Sequence, residues 1–374
     1  MVKAEEEFVV TPWEVKGEID YDKLVERFGT QRITEKLLKK IKKHAKLHPM
    51  LRRKIFYSHR DFDWILDEYE KGNKFVLYTG RGPSGHTHLG HLMPWIFTKY
   101  LQDTFGAKLL FQLTDDEKFL FSESLSLEDA KKYAYENALD VIALGFDSKK
   151  TEIFLDTEFI ASQYRLALKV AKRVTFSTAK AVFGFDNSNN IGSIFFTSIQ
   201  SVPAFLESER QNKAVPCLIP CAIDQDAHFR VTRDVALMLG YPKPSLIHCK
   251  FFPSLTGSDK MSASKTETSI FTVDAPEAAK KKIVDAFTGG QATIEEQRKK
   301  GGNPNVCSIY QYYFYIFEED DEKVKELSKS CRQGEILCGD CKKELAERAA
   351  KFLKQHQKKR EKARDKLEEF MIRD

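Results

Sequence analysis

No stretch of this chain approaches the roughly 20 consecutive apolar residues that a membrane-spanning helix needs. The opening residues, Met1-Val-Lys-Ala-Glu-Glu-Glu, lack the basic-then-apolar pattern of a secretory signal. A charge of one sign is lacking too. Sixty Lys and Arg against 55 Asp and Glu leave +5. So mild an excess permits nucleic-acid binding but does not argue for it, and clustering matters more. Cysteine is sparse. Seven, an odd number, are scattered over 374 residues, a pattern that fits free thiols in a reducing compartment. The expected location is cytoplasmic, with no membrane partner. Internal repeats and low-complexity segments are also absent. What remains is 42% apolar and 31% charged residues, the balance of a soluble globular protein with a large core and two or three domains.

Three zones follow from the patterning. Residues 1–72 read as a helical extension, with helices over Tyr21–Phe28 and Gln31–Leu47. In the second, Ile33, Leu37, Ile41 and Ala45 share one face and lysines crowd the other. Arg52-Arg53-Lys54 follows. These charges are either a solvated helix face or contacts to an RNA backbone. From 73 to 273, apolar runs alternate with helical patterns. Strands are expected at 75–79, 108–113, 152–155, 216–222 and 246–251, and helices at 92–105, 127–144, 159–174 and 226–239. That alternation specifies an α/β fold with a doubly wound parallel sheet, a Rossmann-like domain. Residues 176–213 break the rhythm with Gly184, Gly192, Pro203 and an Asn-rich turn, as an insertion carrying an interface would. Residues 274–374 read as an all-helical C-terminal domain, with helices at 275–287, 293–300, 305–317, 321–329 and 340–370.

The chemistry begins in Phe75-Val-Leu-Tyr-Thr-Gly-Arg-Gly-Pro-Ser-Gly-His-Thr-His-Leu-Gly-His91. A buried strand runs into a glycine-rich turn and a helix N-terminus. Free N–H groups, the helix dipole and glycines that admit close approach make this a phosphate site. His88 and His91 can both donate to phosphate oxygens. The turn fits neither a dinucleotide fingerprint nor a P-loop. Metal binding by His86, His88 and His91 is disfavoured, because His86 lies in the turn rather than on a regular face. No resident metal site is expected.

Lys260-Met-Ser-Ala-Ser264 lies in a loop after a strand. Paired with His88-Leu-Gly-His91 at the front of the same domain, it resembles the second signature of class I aminoacyl-tRNA synthetases. Phe111-Gln-Leu-Thr-Asp-Asp-Glu-Lys118, Ser198-Ile-Gln-Ser-Val-Pro203 and Pro220-Cys-Ala-Ile-Asp-Gln-Asp226 narrow the resemblance to the tryptophanyl-tRNA synthetase family, archaeal and eukaryotic branch. It runs from about Tyr21 to the C-terminus. The chain departs from the motif at Ala263, where the family has a second lysine.

The resemblance implies activation of L-tryptophan with ATP and Mg²⁺, transfer to tRNA(Trp), and a homodimer built through the 176–213 region. By the same resemblance, His88, His91, Lys260, Ser262 and Ser264 act on the phosphates. Gly80, Arg81, Gly82, Gly90, Asp224 and Met261 hold ATP. Tyr78 and Gln112 take the indole N–H, which needs an acceptor when buried. Thr114, Glu117, Gln200 and Gln225 serve the amino acid, and Asp224 takes either the ribose or the ammonium. The basic N-terminal helix would approach the acceptor arm. The long C-terminal helix, with Lys358-Lys-Arg360 and Arg364, would meet the anticodon. A bland reading of Gln112 and Gln200 is a hydrogen-bonded core amide. Rival readings are a tyrosyl-tRNA synthetase, opposed by Thr-Asp-Asp-Glu-Lys at 114–118, and a catalytically silent synthetase-derived RNA-binding protein, opposed by intact His88, His91 and Lys260. A nucleotidyltransferase acting on a small metabolite is opposed by the helical C-terminal region. Finally, Cys331, Cys338 and Cys341, with His356 as a possible fourth ligand, leave zinc, a disulfide or free thiols open.

Overall fold

The structure is a computed structural model and describes residues 8–11, 15–17, 19–257, 260–262 and 265–374. Among these, a two-stranded ribbon, β1 (Val9–Val10) and β2 (Val15–Lys16), precedes a seven-stranded sheet. The sheet strands are β3 (Gln31–Arg32), β4 (Phe56–Arg60), β5 (Val76–Arg81), β6 (Lys108–Leu113), β7 (Thr151–Leu155), β8 (Cys217–Ala222) and β9 (Ser245–Cys249). Their order is β3-β4-β9-β8-β5-β6-β7. Strands β5 to β9 are mutually parallel, and β3 and β4 are antiparallel additions at one edge. Leu77, Leu109, Phe111, Ile153, Leu218, Ile219 and Ile247 are fully buried. Helices cover both faces of such a sheet, which is why these strands read as near-continuous apolar runs.

The five parallel strands lie within two residues of the expected runs, and their connecting helices within three. Helices Leu89–Phe105, Leu127–Ala143 and Ile160–Ala171 match expectation, and the 226–239 pattern divides into a helix, Asp226–Ala236, and a 3-10 turn. The N-terminal zone differs. The expected helix over Gln31–Leu47 is a strand followed by a shorter helix, Glu35–Lys42. Thr34 causes the break: its Oγ1 accepts the Leu37 N–H at 3.2 Å, an N-cap that requires extended backbone before it. Ile33 then donates to the Tyr57 carbonyl and extends the pairing of β3 with β4. Strand β4, Phe-Tyr-Ser-His-Arg, has no apolar run to reveal it. Its polar groups are buried because they are paired: Ser58 Oγ lies 3.1 Å from His248 Nδ1, and Arg60 reaches both Asp226 oxygens at 2.7 and 2.8 Å.

One apolar cluster runs from the N-terminal helices through the sheet to Leu345, Leu353 and Phe370 of the C-terminal helices. Two charged clusters reinforce it. Arg52 and Arg53 both bond to Asp321, and Arg53 also donates to the Phe314 and Glu318 carbonyls. These arginines serve an internal junction rather than the RNA contact considered from sequence. On helix Cys338–Arg364, Arg360 and His356 converge on the fully buried carboxylate of Asp140, and Arg364 pairs with Glu136. Arg360 is therefore buried and absent from the helix's solvent face. Beyond that helix, the Ile372 N–H donates to the Ile153 carbonyl, which covers the outer edge of β7.

Candidate active site

In an open parallel sheet, ligands sit beyond the carboxyl ends of the strands, where the strand order reverses. That reversal falls between β5 and β8. Strands β5 and β6 pair from Val76↔Lys108 to Arg81↔Leu113, but β5 and β8 pair only at Val76↔Cys217 and Leu77↔Leu218. The two strands then part. Thr79 Oγ1 donates to the Pro220 carbonyl at 3.1 Å across the gap, and a cavity of about 520 Å³ opens above it.

One wall is a closed set of polar groups in an apolar setting. The Tyr78 hydroxyl donates to Gln112 Oε1 at 2.5 Å and accepts from Gln200 Nε2 at 2.5 Å. Gln200 Nε2 also lies 3.2 Å from Gln112 Oε1. Tyr78 and Gln112 lie on adjacent strands, and Gln200 closes helix Ile191–Ile199. Burial raises the Tyr78 phenol well above its ordinary value, so it stays a neutral donor and acceptor. Three residues far apart in sequence thus make one buried cluster of acceptors and donors on the cavity wall.

Beside it, Glu117 accepts from Thr114 Oγ1 at 2.7 Å and from Lys118 Nζ at 2.7 Å. Burial alone would raise this carboxyl, but Lys118 and the hydrogen bonds outweigh it and hold it below its ordinary value. Gly82 stands against the pair: a Cβ there would lie 1.9 Å from Lys118 Cε and 2.6 Å from Glu117 Oε2. Gly80 is equally constrained, since its Cβ would lie 2.4 Å from the Gln112 carbonyl.

The turn itself is braced from inside. Arg81 Nη2 donates to the Gly85 and His86 carbonyls at 3.0 Å each, and Nη1 contacts His91 Nδ1. Burial lowers the guanidinium to about 9, and its Nε has no partner. His91 Nδ1 also accepts the His88 N–H at 3.2 Å, and the two rings stack at 3.5 Å. With Nδ1 accepting, the His91 proton lies on Nε2. Burial, then the Arg81 charge, lowers both imidazoles well below their ordinary value. Both are neutral N–H donors. His86 points elsewhere, edge-on to Tyr133. Gly90 sits under the pair, where a Cβ would come within 3.0 Å of the His88 ring.

Lys260 closes the opposite side. Its Nζ lies 3.3 Å from Asp224 Oδ2 and 5.1 Å from the centre of the Phe251 ring. The Met261 N–H donates to the Phe252 carbonyl at 2.9 Å, and the Ser262 carbonyl accepts from Ser269 Oγ at 2.8 Å. Ser264 lies outside the described residues. Asp224 Oδ1 is buried without a partner among the described residues, and Gln225 borders the same cavity. All the other candidate residues named from sequence gather around this one cavity.

The residues matched by the profile of tRNA synthetases class I (W and Y) are 70–354. The tryptophan–tRNA ligase of Pyrobaculum aerophilum is 50% identical over 369 residues, covering 98% of each chain. That of Pyrococcus furiosus is 53% identical over 370 residues, covering 98% of this chain and 94% of that one. A tryptophanyl-tRNA synthetase from Encephalitozoon cuniculi, solved bound to tryptophan, superposes with a TM-score of 0.87 at 38% identity, covering 95% of this chain and 98% of that one. The chain belongs to the class I tRNA synthetase family.

Some site residues of this synthetase escaped the sequence reading. Lys118 is a cation beside the phosphate turn, adjacent in sequence to Glu117. His228 lines the cavity one helical turn after Gln225, and burial lowers it to about 4. Asp156, the first residue after β7, lies behind Gln112. An acid at the carboxyl end of a parallel strand was the available signal. The cysteines also regroup. Cys307, Cys331, Cys338 and Cys341 line one small apolar hollow, and all are free thiols. His356 is not a member, because Asp140 engages its Nε2 at 2.8 Å.

Proposed function

We propose that this chain is a tryptophan–tRNA ligase that forms tryptophanyl-adenylate from tryptophan and ATP and then charges tRNA(Trp). One observation carries the choice of amino acid. The Tyr78–Gln112–Gln200 cluster offers buried acceptors at one end of a cavity whose other end is a neutral-histidine, glycine-turn and Lys260 phosphate site. An indole is a large apolar ring with one N–H, which fits the first end; a triphosphate fits the second. The relatives named above support the same reading.

In the first step, a carboxylate oxygen of tryptophan attacks the α-phosphorus in line. The bond to the bridging oxygen breaks and pyrophosphate leaves. The nucleophile is already ionised, so no general base is needed, and catalysis is positioning and charge stabilisation. His88 and His91 donate N–H groups to the phosphates. Gly80, Gly82 and Gly90 let the nucleotide approach the backbone, Met261 flanks it, and Arg81 holds the turn. Lys260, with Ser262 and Ser264, meets the charge that develops on pyrophosphate. Mg²⁺ arrives as part of the nucleotide substrate, on its phosphates. Thr114, Glu117, Gln200 and Gln225 orient the amino acid. The unpartnered Asp224 Oδ1 awaits a donor, which the ribose hydroxyls and the ammonium both supply. In the second step, a terminal ribose hydroxyl of the tRNA attacks the acyl carbon, AMP departs and the hydroxyl proton is lost to the medium.

The same reading makes the enzyme a cytoplasmic homodimer, with residues 73–273 catalytic, 1–72 an N-terminal extension and 274–374 a helical anticodon-binding domain. Ile191, 85% exposed, with exposed Phe176, Tyr164 and Leu168, supports an interface at 176–213. No described helix is long and apolar enough to cross a membrane. ATP–pyrophosphate exchange with tryptophan and with tyrosine tests the assignment. Exchange is expected with tryptophan. Exchange with tyrosine alone would overturn it, and exchange with neither would favour a silent RNA-binding protein.

A further inference from the structure

Gln112 turns its amide oxygen toward Tyr78 and Gln200, which line the cavity, because of which way round its amide sits. Its Nε2 donates to one carboxyl group, Asp156, at 2.8 Å to Oδ1 and 3.0 Å to Oδ2. Its Oε1 therefore faces Tyr78 and Gln200. The reversed amide would give up the Nε2 bonds to Asp156 and set Nε2 against the Gln200 Nε2 at 3.2 Å.

Asp156 is itself built in. It is fully buried, its N–H donates to the Leu113 carbonyl at 3.2 Å, and its Oδ1 takes a further bond at 3.0 Å from Gln163, also fully buried. The titratable groups facing it are Asp115, Asp116 and the Tyr78 phenol, and among the described residues it has no ion pair with a cation. Burial and the Asp116 charge raise it well above the ordinary carboxylate range. Asp116, hydrogen-bonded to it, is pushed up to about 7 by burial and Asp115. A buried carboxyl held by two amides and another acid, with no cation, costs stability that a hydrophobic residue would not. Such a group persists where it sets something else in place.

We infer that Asp156 is a positioning residue that fixes the orientation of the Gln112 amide, and through it the acceptor by which the site selects a side chain bearing a ring N–H. The inference rests on the tryptophan reading above and names what makes the indole subsite specific.

The test compares kcat/KM in ATP–pyrophosphate exchange for tryptophan and for 3-benzothienylalanine, which replaces the N–H by sulfur at nearly the same shape. Asp156→Asn presents an amide that can pair with either end of Gln112, so the orientation is no longer forced. The preference for tryptophan should fall by about tenfold or more, because the analogue no longer strands a fixed acceptor. KM for ATP should stay within about twofold. Gln112→Met should lower the preference likewise, and Asp156→Asn added to Gln112→Met should lower it no further. Gln163→Met, which removes the other amide on Asp156, should leave the preference unchanged. A folded Asp156→Asn with the wild-type preference would overturn the inference, as would equal additive losses in the double variant. Asp156→Ser is the second variant, with the same expectation; failure of both to fold would assign Asp156 a structural role instead. Wild-type enzyme with no tryptophan-dependent exchange would overturn the functional reading itself, a separate result.

Discussion

Gly80→Ala should damage the indole subsite from behind, chiefly through the backbone of the neighbouring strand. Gly80 lies opposite Gln112 in the parallel pairing of β5 and β6. A Cβ at 80 would stand 2.4 Å from the Gln112 carbonyl oxygen, whereas contacts under 3.0 Å essentially do not occur, so the strands must separate by at least 0.6 Å. The obstacle is backbone, and no side-chain rotation relieves it. Gln112 is held by bonds of 2.5 to 3.2 Å to Tyr78, Gln200 and Asp156, and a displacement of that size stretches several of them past hydrogen-bond range. Overpacking of this kind costs about 1–3 kcal/mol of stability. Misplacing a binding group by a large part of an ångström costs up to about 10²-fold in kcat/KM. Tryptophan-dependent exchange should therefore fall by roughly 10- to 100-fold, mainly through KM for tryptophan, with a lowered melting temperature. Gly85→Ala is the control: its Cβ would meet nothing within 4 Å, and it should be nearly neutral. A Gly80→Ala enzyme within about twofold of wild type at an unchanged melting temperature would refute the close-approach argument.

Lys260→Ala should slow adenylate formation by about 10²–10³-fold, the usual effect of removing one charge-stabilising donor, while tryptophan affinity by calorimetry stays within about twofold; equal losses would remove Lys260 from the leaving-group role. Because burial and Arg81 hold His88 and His91 neutral, the exchange rate should show no inflection from these groups between about pH 6 and 8. An inflection near 6.5 that vanished in His91→Asn would contradict this. Asp140→Asn takes the buried carboxylate from Arg360, which keeps Glu136 at 2.7 Å, and should cost about 3 kcal/mol in denaturant unfolding. Burial alone would raise the Asp140 carboxyl, but His356 and Arg360 outweigh it and lower it below 3.8. The folded value is thus below the unfolded one, so this stabilisation is fully present above the ordinary carboxylate range and disappears only as pH falls through the folded value. A wild-type loss of this contribution between pH 5 and 6, absent in Asp140→Asn, would contradict the assignment.

The sequence by itself determined the parallel sheet, because β5 to β9 are buried on both faces and must be apolar, and that pattern survives without knowledge of neighbours. It determined the phosphate turn as well, since glycine spacing, a helix start and His88-Leu-Gly-His91 are local. It did not determine β4, whose serine and arginine are drawn from water only because His248 and Asp226 arrive from elsewhere to pair with them. Arg52, Arg53 and Arg360 look solvated in one dimension for the same reason: Asp321 and Asp140 become their partners only on folding. The cavity needed the tertiary structure most. Its opening depends on β5 and β8 parting after two residue pairs, and the acceptor on Gln112 depends on Asp156, 44 residues away. Periodicity records which residues are hidden from water. Which polar groups are hidden together, and therefore which way each one points, is decided only where the strands meet.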